Sequence, residues 1–79
     1  MNITLELIGR LKDFNHQTSH NKNIKLSLKS NSKVSDIVNQ LVIPKEYIAL
    51  VIVNKKVSGL DFELKDEDKV VFYPPIGGG

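Results

Sequence analysis

The sequence predicts an α+β fold, a mixed sheet of four to five strands with one main helix packed on one face. Three observations carry this. Short runs alternate apolar and polar residues with period two near both ends of the chain. Only residues 34–42 carry the i, i+3, i+4, i+7 spacing of an amphipathic helix. Turn residues separate the runs and give the order β-β-α-β-β-β, with hairpins at both ends and no internal repeat or linker. A helix stripe has to bury against the apolar face of a sheet. The right-handed crossover preference is met if the first and last strands run parallel in the centre.

The 79 residues are expected to form one domain, 1–79, with a modest core and a flexible glycine tail at 76–79. The hydrophobic share of 41% and charged share of 25% are those of a globular chain. Eleven basic and nine acidic residues give a net charge of +2, too weak to imply nucleic acid or an anionic membrane without a clustered patch. There is no cysteine, hence no disulfide framework, thiolate nucleophile or cysteine metal site, in keeping with the cytoplasm. Met1-Asn2-Ile3-Thr4 lacks the basic and apolar regions of a signal peptide, and no stretch approaches the roughly 18 apolar residues of a membrane span. A cytoplasmic protein is expected, and the Asn2-Ile3-Thr4 sequon has no secretory context.

In the first strand Ile3, Leu5 and Leu7 alternate with Thr4, Glu6 and Ile8, and Ile8 places an apolar residue on the polar face. Leu11 and Phe14 are expected to pack beneath the loop that follows. Lys12 to Asn23 is polar and aperiodic and holds His16 and His20. Their i, i+4 spacing suits two metal ligands on a helix face. Asn15, Thr18, Ser19 and Asn21 are poor helix formers, however, and no third ligand is near, so both read as solvated loop histidines and no metal is expected. Ile24, Leu26 and Leu28 alternate with Lys25, Ser27 and Lys29 in a second strand with one wet face.

Val34, Ile37, Val38, Leu41 and Val42 form the helix stripe, with Ser32 as the expected N-cap and Asp36 in the first turn, where the helix dipole favours an anion. Pro44 stops the helix, and Pro44-Lys45-Glu46-Tyr47 suits one short turn. Ala49 to Val53 is continuously apolar and reads as a strand covered on both faces. Asn54-Lys55 is a two-residue turn into Lys56-Val57-Ser58. Leu60, Phe62 and Leu64 lie in an irregular segment, Asp66-Glu67-Asp68 makes a turn, and Val70 to Tyr73 closes the sheet.

The acidic residues Asp61, Glu63, Asp66, Glu67 and Asp68 lack the spacing of a calcium loop and read as turn and surface charge. Lys25 and Lys29, without interleaved aromatics, read as a solvated strand face. Strand alternation puts Ile8, Val57 and Tyr73 on the sheet face away from the helix, where an apolar patch suits a partner interface; read singly, they are ordinary surface apolar residues.

The chain ends Phe72-Tyr73-Pro74-Pro75-Ile76-Gly77-Gly78-Gly79. Proline has no N–H, so Pro74 and Pro75 end the strand pairing and favour an extended exit. Gly77, Gly78 and Gly79 lack a Cβ and make a thread thin enough for a channel that no side chain could enter, with Ile76 and Pro75 at its mouth. At its tip is an α-carboxylate, anionic at neutral pH.

In three segments this chain resembles the ubiquitin-like β-grasp sulfur carriers of the MoaD/ThiS family: Lys33 to Val38, Leu50 to Val57 and Leu64 to Gly79. The length and double proline look more like the MoaD branch, the small subunits of molybdopterin synthase, than ThiS of the thiamine pathway. Two turns depart from the family pattern: Asn54-Lys55 stands where Asn-Gly is usual, and Asp66-Glu67-Asp68 where Asp-Gly-Asp is usual. Each missing glycine would ease a positive φ, so each turn is expected to cost up to about 1 kcal/mol or to change type.

The resemblance implies a non-catalytic carrier that binds no cofactor itself. An E1-like adenylyltransferase of the MoeB/ThiF type would use ATP to adenylate Gly79, and sulfur transfer would leave a thiocarboxylate there. The tail would then insert into the large, MoaE-type subunit of molybdopterin synthase and donate its sulfur to a pterin precursor, or serve another sulfur acceptor, with no role for nucleic acid or membrane. A ThiS-like carrier for thiamine synthesis, a ubiquitin-like modifier forming isopeptides through Gly79 and a plain interaction domain remain the alternatives.

Overall fold

Period-two burial is the principle of the sheet. In a computed structural model, which describes residues 1–15 and 23–76, four of the five strands alternate buried and outward residues, and the short edge strand buries none. His16, His20, Gly77, Gly78 and Gly79 lie outside the described residues. The strands are β1 (Asn2–Leu7), β2 (Asn23–Ser27), β3 (Leu50–Val53), β4 (Lys56–Ser58) and β5 (Lys69–Tyr73), with the helix α1 (Val34–Leu41) after β2. Ile3, Leu5 and Leu7 of β1 and Val70 and Phe72 of β5 face the core, as do Ile24 and Leu26 and Val51 and Val53 of the flanking strands. Val34, Ile37, Val38 and Leu41 of α1 pack there too. Burying one such aliphatic or phenyl side chain stabilises the fold by about 1.5–3 kcal/mol.

The sheet order is β2-β1-β5-β3-β4. β1 and β5 are parallel neighbours at the centre, with Leu5 opposite Val70 and Leu7 opposite Phe72. The other neighbours pair antiparallel. The expected β-grasp arrangement is the one observed. No helix among the described residues is long and apolar enough to cross a membrane.

Four local expectations are corrected. The chain after β1 is not yet a loop at Lys12: Gly9–Phe14 is a 3-10 helix that buries Leu11. At three residues per turn its six residues make only two turns, too few for a helical stripe to show in the sequence. Phe14 is half-buried and meets Tyr47 edge to face at 5.7 Å, joining this helix to the short 3-10 turn Lys45–Tyr47.

Ser32 is not the N-cap; its hydroxyl donates to the Lys29 carbonyl at 2.7 Å. The N–H groups of Val34 and Ser35 donate instead to the carbonyls of Phe62 and Leu60, each at 3.0 Å, and the Asp36 carboxylate accepts the Lys33 N–H at 2.7 Å. The irregular segment is thus the helix cap, and it buries Leu64 beneath it.

Val42 does not extend the helix stripe. It takes the left-handed conformation (φ 57°, ψ 45°), ends α1 and is 76% exposed. The N–H groups of Val42 and Ile43 then donate to the Asn39 and Val38 carbonyls at 3.2 and 3.0 Å, the usual closure at a helix C-terminus. Nor is β3 covered on both faces, because one helix covers one face only: Val51 and Val53 are buried, whereas Leu50 is exposed and Ile52 half-buried on the open side.

The two glycine-free turns keep the backbone that glycine would favour. Asn54 and Lys55 have φ of 50° and 69°, and Glu67 has φ 72°. Hydrogen bonds hold them there. The Asn54 side chain donates to Asp68 Oδ1 at 2.7 Å and accepts the Lys69 N–H at 3.0 Å. The other Asp68 oxygen accepts the Lys65 N–H at 2.8 Å. Glu67 donates its N–H to the Asn2 carbonyl at 2.7 Å, and Asp66 accepts the Asn2 N–H at 2.6 Å. The acidic turn is therefore a structural joint between β1, the β3–β4 turn and β5.

Left-handed L-residues cost about 1–2 kcal/mol each, and glycine's extra freedom in the unfolded chain offsets part of the relief. Val42→Gly and Lys55→Gly are each expected to raise stability by about 0.5–1 kcal/mol. Urea unfolding should show a higher midpoint with an unchanged slope, and an unchanged or lower midpoint would refute the strain assignment.

Candidate functional site

The site is built where the last strand leaves the sheet. β5 is held on both sides up to its last residue: the Ile8 N–H donates to the Phe72 carbonyl at 3.2 Å, and the Ala49 N–H donates to the Tyr73 carbonyl at 2.8 Å. Pro74 and Pro75 have no N–H to continue either ladder. Pro74 is half-buried, Pro75 is exposed and Ile76 is fully exposed.

Beside this exit lies the open face of the sheet. Leu50 is paired with Tyr73, and Ile52 with both Val71 and Val57, so these side chains share one face. Val71 is in turn opposite Glu6, and Ile8 follows two residues later on the same side of β1. Tyr73, Leu50 and Val57 are 39%, 38% and 73% exposed, while Ile8, Ile52 and Val71 are half-buried. Ile8 and Tyr73 adjoin the tail exit; Val57, on the edge strand, joins them through Ile52. The three residues expected on this face lie there, and Leu50, Ile52 and Val71 enlarge the patch. Their signal in the sequence is the unbroken apolar run of β3 together with Val70-Val71.

A groove of about 530 Å³ runs along this face, lined by Glu6, Ile52, Asn54, Lys55, Lys69, Val71 and Tyr73. Its floor is apolar and its far end carries Lys55 and Lys69. An apolar centre with a charged rim is the usual build of a protein docking surface. Among the described residues no three or more histidines, cysteines or acids are grouped to hold a metal ion.

A mixed five-stranded sheet with the first and last strands parallel at its centre and one helix across it is a ubiquitin-like β-grasp domain. The chain belongs to the Mut7-C ubiquitin family, whose model matches residues 1–77. The fold is also that of SAMP1, small archaeal modifier protein 1, from Haloferax volcanii: 15% identity, TM-score 0.75, all of both chains covered. It is similar to Urm1 from Trypanosoma brucei, with 19% identity and a TM-score of 0.70 over 99% of this chain and 95% of that one. A complex of subunits 1 and 2 of the molybdopterin-converting factor from Helicobacter pylori contains a similar chain, with 17% identity, a TM-score of 0.61 and full coverage of both. No curated protein matches the sequence. At these identities the likeness is one of fold, and it includes the β-grasp architecture expected from the sequence.

Tyr73→Glu places a charge in the middle of the patch while leaving the buried face of β5 intact. It is expected to weaken partner binding, with a loss of stability of about 1 kcal/mol or less. Titration against an E1-like adenylyltransferase, the activating partner that the sequence resemblance implies, and a parallel unfolding curve check this; unfolding of the variant would mean that Tyr73 belongs to the core.

Proposed function

We propose that this chain is a cytoplasmic sulfur carrier whose acting group is the C-terminal carboxylate of Gly79, presented by a single β-grasp domain. The observation that carries this reading is contiguity: β5 ends at the margin of the open apolar face, so a partner docked on that face would meet the tail directly. Gly77, Gly78 and Gly79 would enter the partner's channel, with Pro75 and Ile76 at its mouth, while Ile8, Val57 and Tyr73 contact its surface.

A carboxylate is a poor acyl donor because its leaving group would be oxide. In the proposed chemistry the Gly79 carboxylate oxygen attacks the α-phosphorus of ATP on an E1-like adenylyltransferase, and pyrophosphate leaves. A sulfide-equivalent nucleophile then attacks the acyl carbon of the mixed anhydride, AMP leaves, and a thiocarboxylate remains. ATP and the catalytic residues belong to the activating enzyme; this chain supplies the acyl group and binds no cofactor. The tail is proposed to insert into a large molybdopterin synthase subunit and to donate its sulfur to a pterin precursor there, in molybdenum or tungsten cofactor synthesis. This is supported by the double proline and by the fold likeness to the paired subunits of H. pylori.

A second reading is favoured by the fold likeness to small archaeal modifier protein 1. There a lysine amine of a target attacks the same adenylate, AMP and a proton leave, and an isopeptide forms.

Both readings require the last two glycines. Deleting Gly78 and Gly79 is expected to leave the unfolding free energy within about 0.5 kcal/mol of the parent, since the last strand ends at Tyr73. The same deletion is expected to abolish ATP–pyrophosphate exchange by the adenylyltransferase. Retained exchange in the shortened chain would overturn the assignment of Gly79.

A further inference from the structure

We propose that Gly9 is a positioning residue, which seats Pro74 against its bare α-carbon and so sets the direction in which the tail leaves the sheet. This rests on the reading of the tail as the acting group.

The parallel pairing brings the two residues together. Leu7 is opposite Phe72, and the next step along both strands carries Gly9 to the side of Pro74. Gly9 has φ 59°, at the corner between β1 and the 3-10 helix. The backbone angle alone does not call for glycine, because Asn31, Val42, Asn54, Lys55 and Glu67 all adopt positive φ elsewhere in this chain. What distinguishes position 9 is its neighbour. A Cβ at Gly9 would stand 3.2 Å from Pro74 Cγ and 3.9 Å from Cδ. The first distance is inside the roughly 3.5–4.0 Å of an ordinary carbon–carbon contact.

A flexible side chain would swing aside. The proline ring is closed onto its own backbone nitrogen, so relief is confined to the small travel of Cγ that a change of ring pucker allows and to a shift of the tail backbone. The movement would begin just beyond Tyr73, whose carbonyl is the last group of β5 held by β3. From there it would be carried into Pro75 and Ile76. Pro74 makes the exit stiff, and Gly9 lets that stiff exit lie against the end of β1, aimed from the margin of the open face. Any residue with a Cβ at position 9 would therefore leave the docking face unchanged and misdirect the tail.

The chain has no cysteine, so Ile76→Cys, at a fully exposed position, gives a unique site for a nitroxide. Paramagnetic broadening of backbone amides in the labelled protein then reports where the tail points. Gly9→Ala is expected to redistribute the broadening among amides around the exit, with the shifts of α1 and β4 unchanged. Gly9→Asn tolerates the left-handed backbone and still carries a Cβ, so it should redistribute the broadening in the same way. Pro74→Ala removes the ring, and Gly9→Asn added to it should cause no further redistribution of the broadening, the signature of a direct contact in a double-mutant cycle.

In ATP–pyrophosphate exchange with the adenylyltransferase, Gly9→Ala should lower the rate by about tenfold or more through misplacement of the reacting carboxylate. Its affinity for the enzyme should equal that of the parent. A pattern for Gly9→Asn identical to the parent's would overturn the proposal, as would additive effects of the Gly9 and Pro74 changes. If Gly9→Ala fails to fold, Gly9→Asn and Pro74→Ala still decide it. Loss of exchange in the parent itself would count against the carrier reading alone, because the broadening pattern judges the Gly9 seat without any enzyme.

Discussion

The parallel pairing of β1 and β5 is the constraint on which the rest depends. It places both strands at the centre of the sheet, where Leu5, Val70 and Phe72 are fully buried beneath α1. It also brings the C-terminal ends of both strands to the same side, so the tail leaves beside the start of the 3-10 helix and the margin of the open face. Had the last strand been antiparallel to the first at the same place, its end would have lain by Asn2, far from Ile8 and Gly9. The direction of one strand therefore decides whether the tail and the apolar patch can be presented to one partner.

The same pairing has to be closed at its other end, and there polar groups do the closing. Asp68 is 7% exposed, yet both its carboxylate oxygens are satisfied, one by the Asn54 side chain and one by the Lys65 N–H. Buried acceptors left unpaired would cost about 1–3 kcal/mol each. The joint holds Lys55 and Glu67 in left-handed backbone and keeps the register of β1, β5 and β3 at the end remote from the tail. Mechanical closure and the proposed tail site thus occupy opposite ends of β5: a polar network at Asp68 and Lys69, and an apolar exit at Tyr73 and Pro74.

Most of the fold was legible in the sequence because its signals are local. Alternation in β1, β2 and β5, the stripe of α1 and the Asn54-Lys55 turn each lie within a few residues. The helix cap was not legible, since the carbonyls of Leu60 and Phe62 come from a distant segment and displace Ser32 from that task. Val42 continued the apolar spacing of the stripe, and nothing near it in sequence marks a left-handed stop except Pro44 two residues on. The extent of the candidate site was half legible. The apolar run of β3 fits either a strand covered on both faces or one whose open face is apolar. A chain with one helix has cover for only one face, and that count favours the second. The seat of Pro74 on Gly9 appears only when two ends of the sequence are placed side by side.

The central claim is that the Gly79 carboxylate is an activated acyl group, and the most direct test is the intact mass of the protein isolated from its native host, with its C-terminal peptide sequenced. The carrier account predicts a fraction in which sulfur replaces one oxygen at Gly79. An isopeptide from Gly79 to a lysine would contradict sulfur transfer and establish the modifier in its place. An unmodified Gly79 under every growth condition, with no mass change on incubation with the adenylyltransferase, ATP and a sulfide donor, would contradict both.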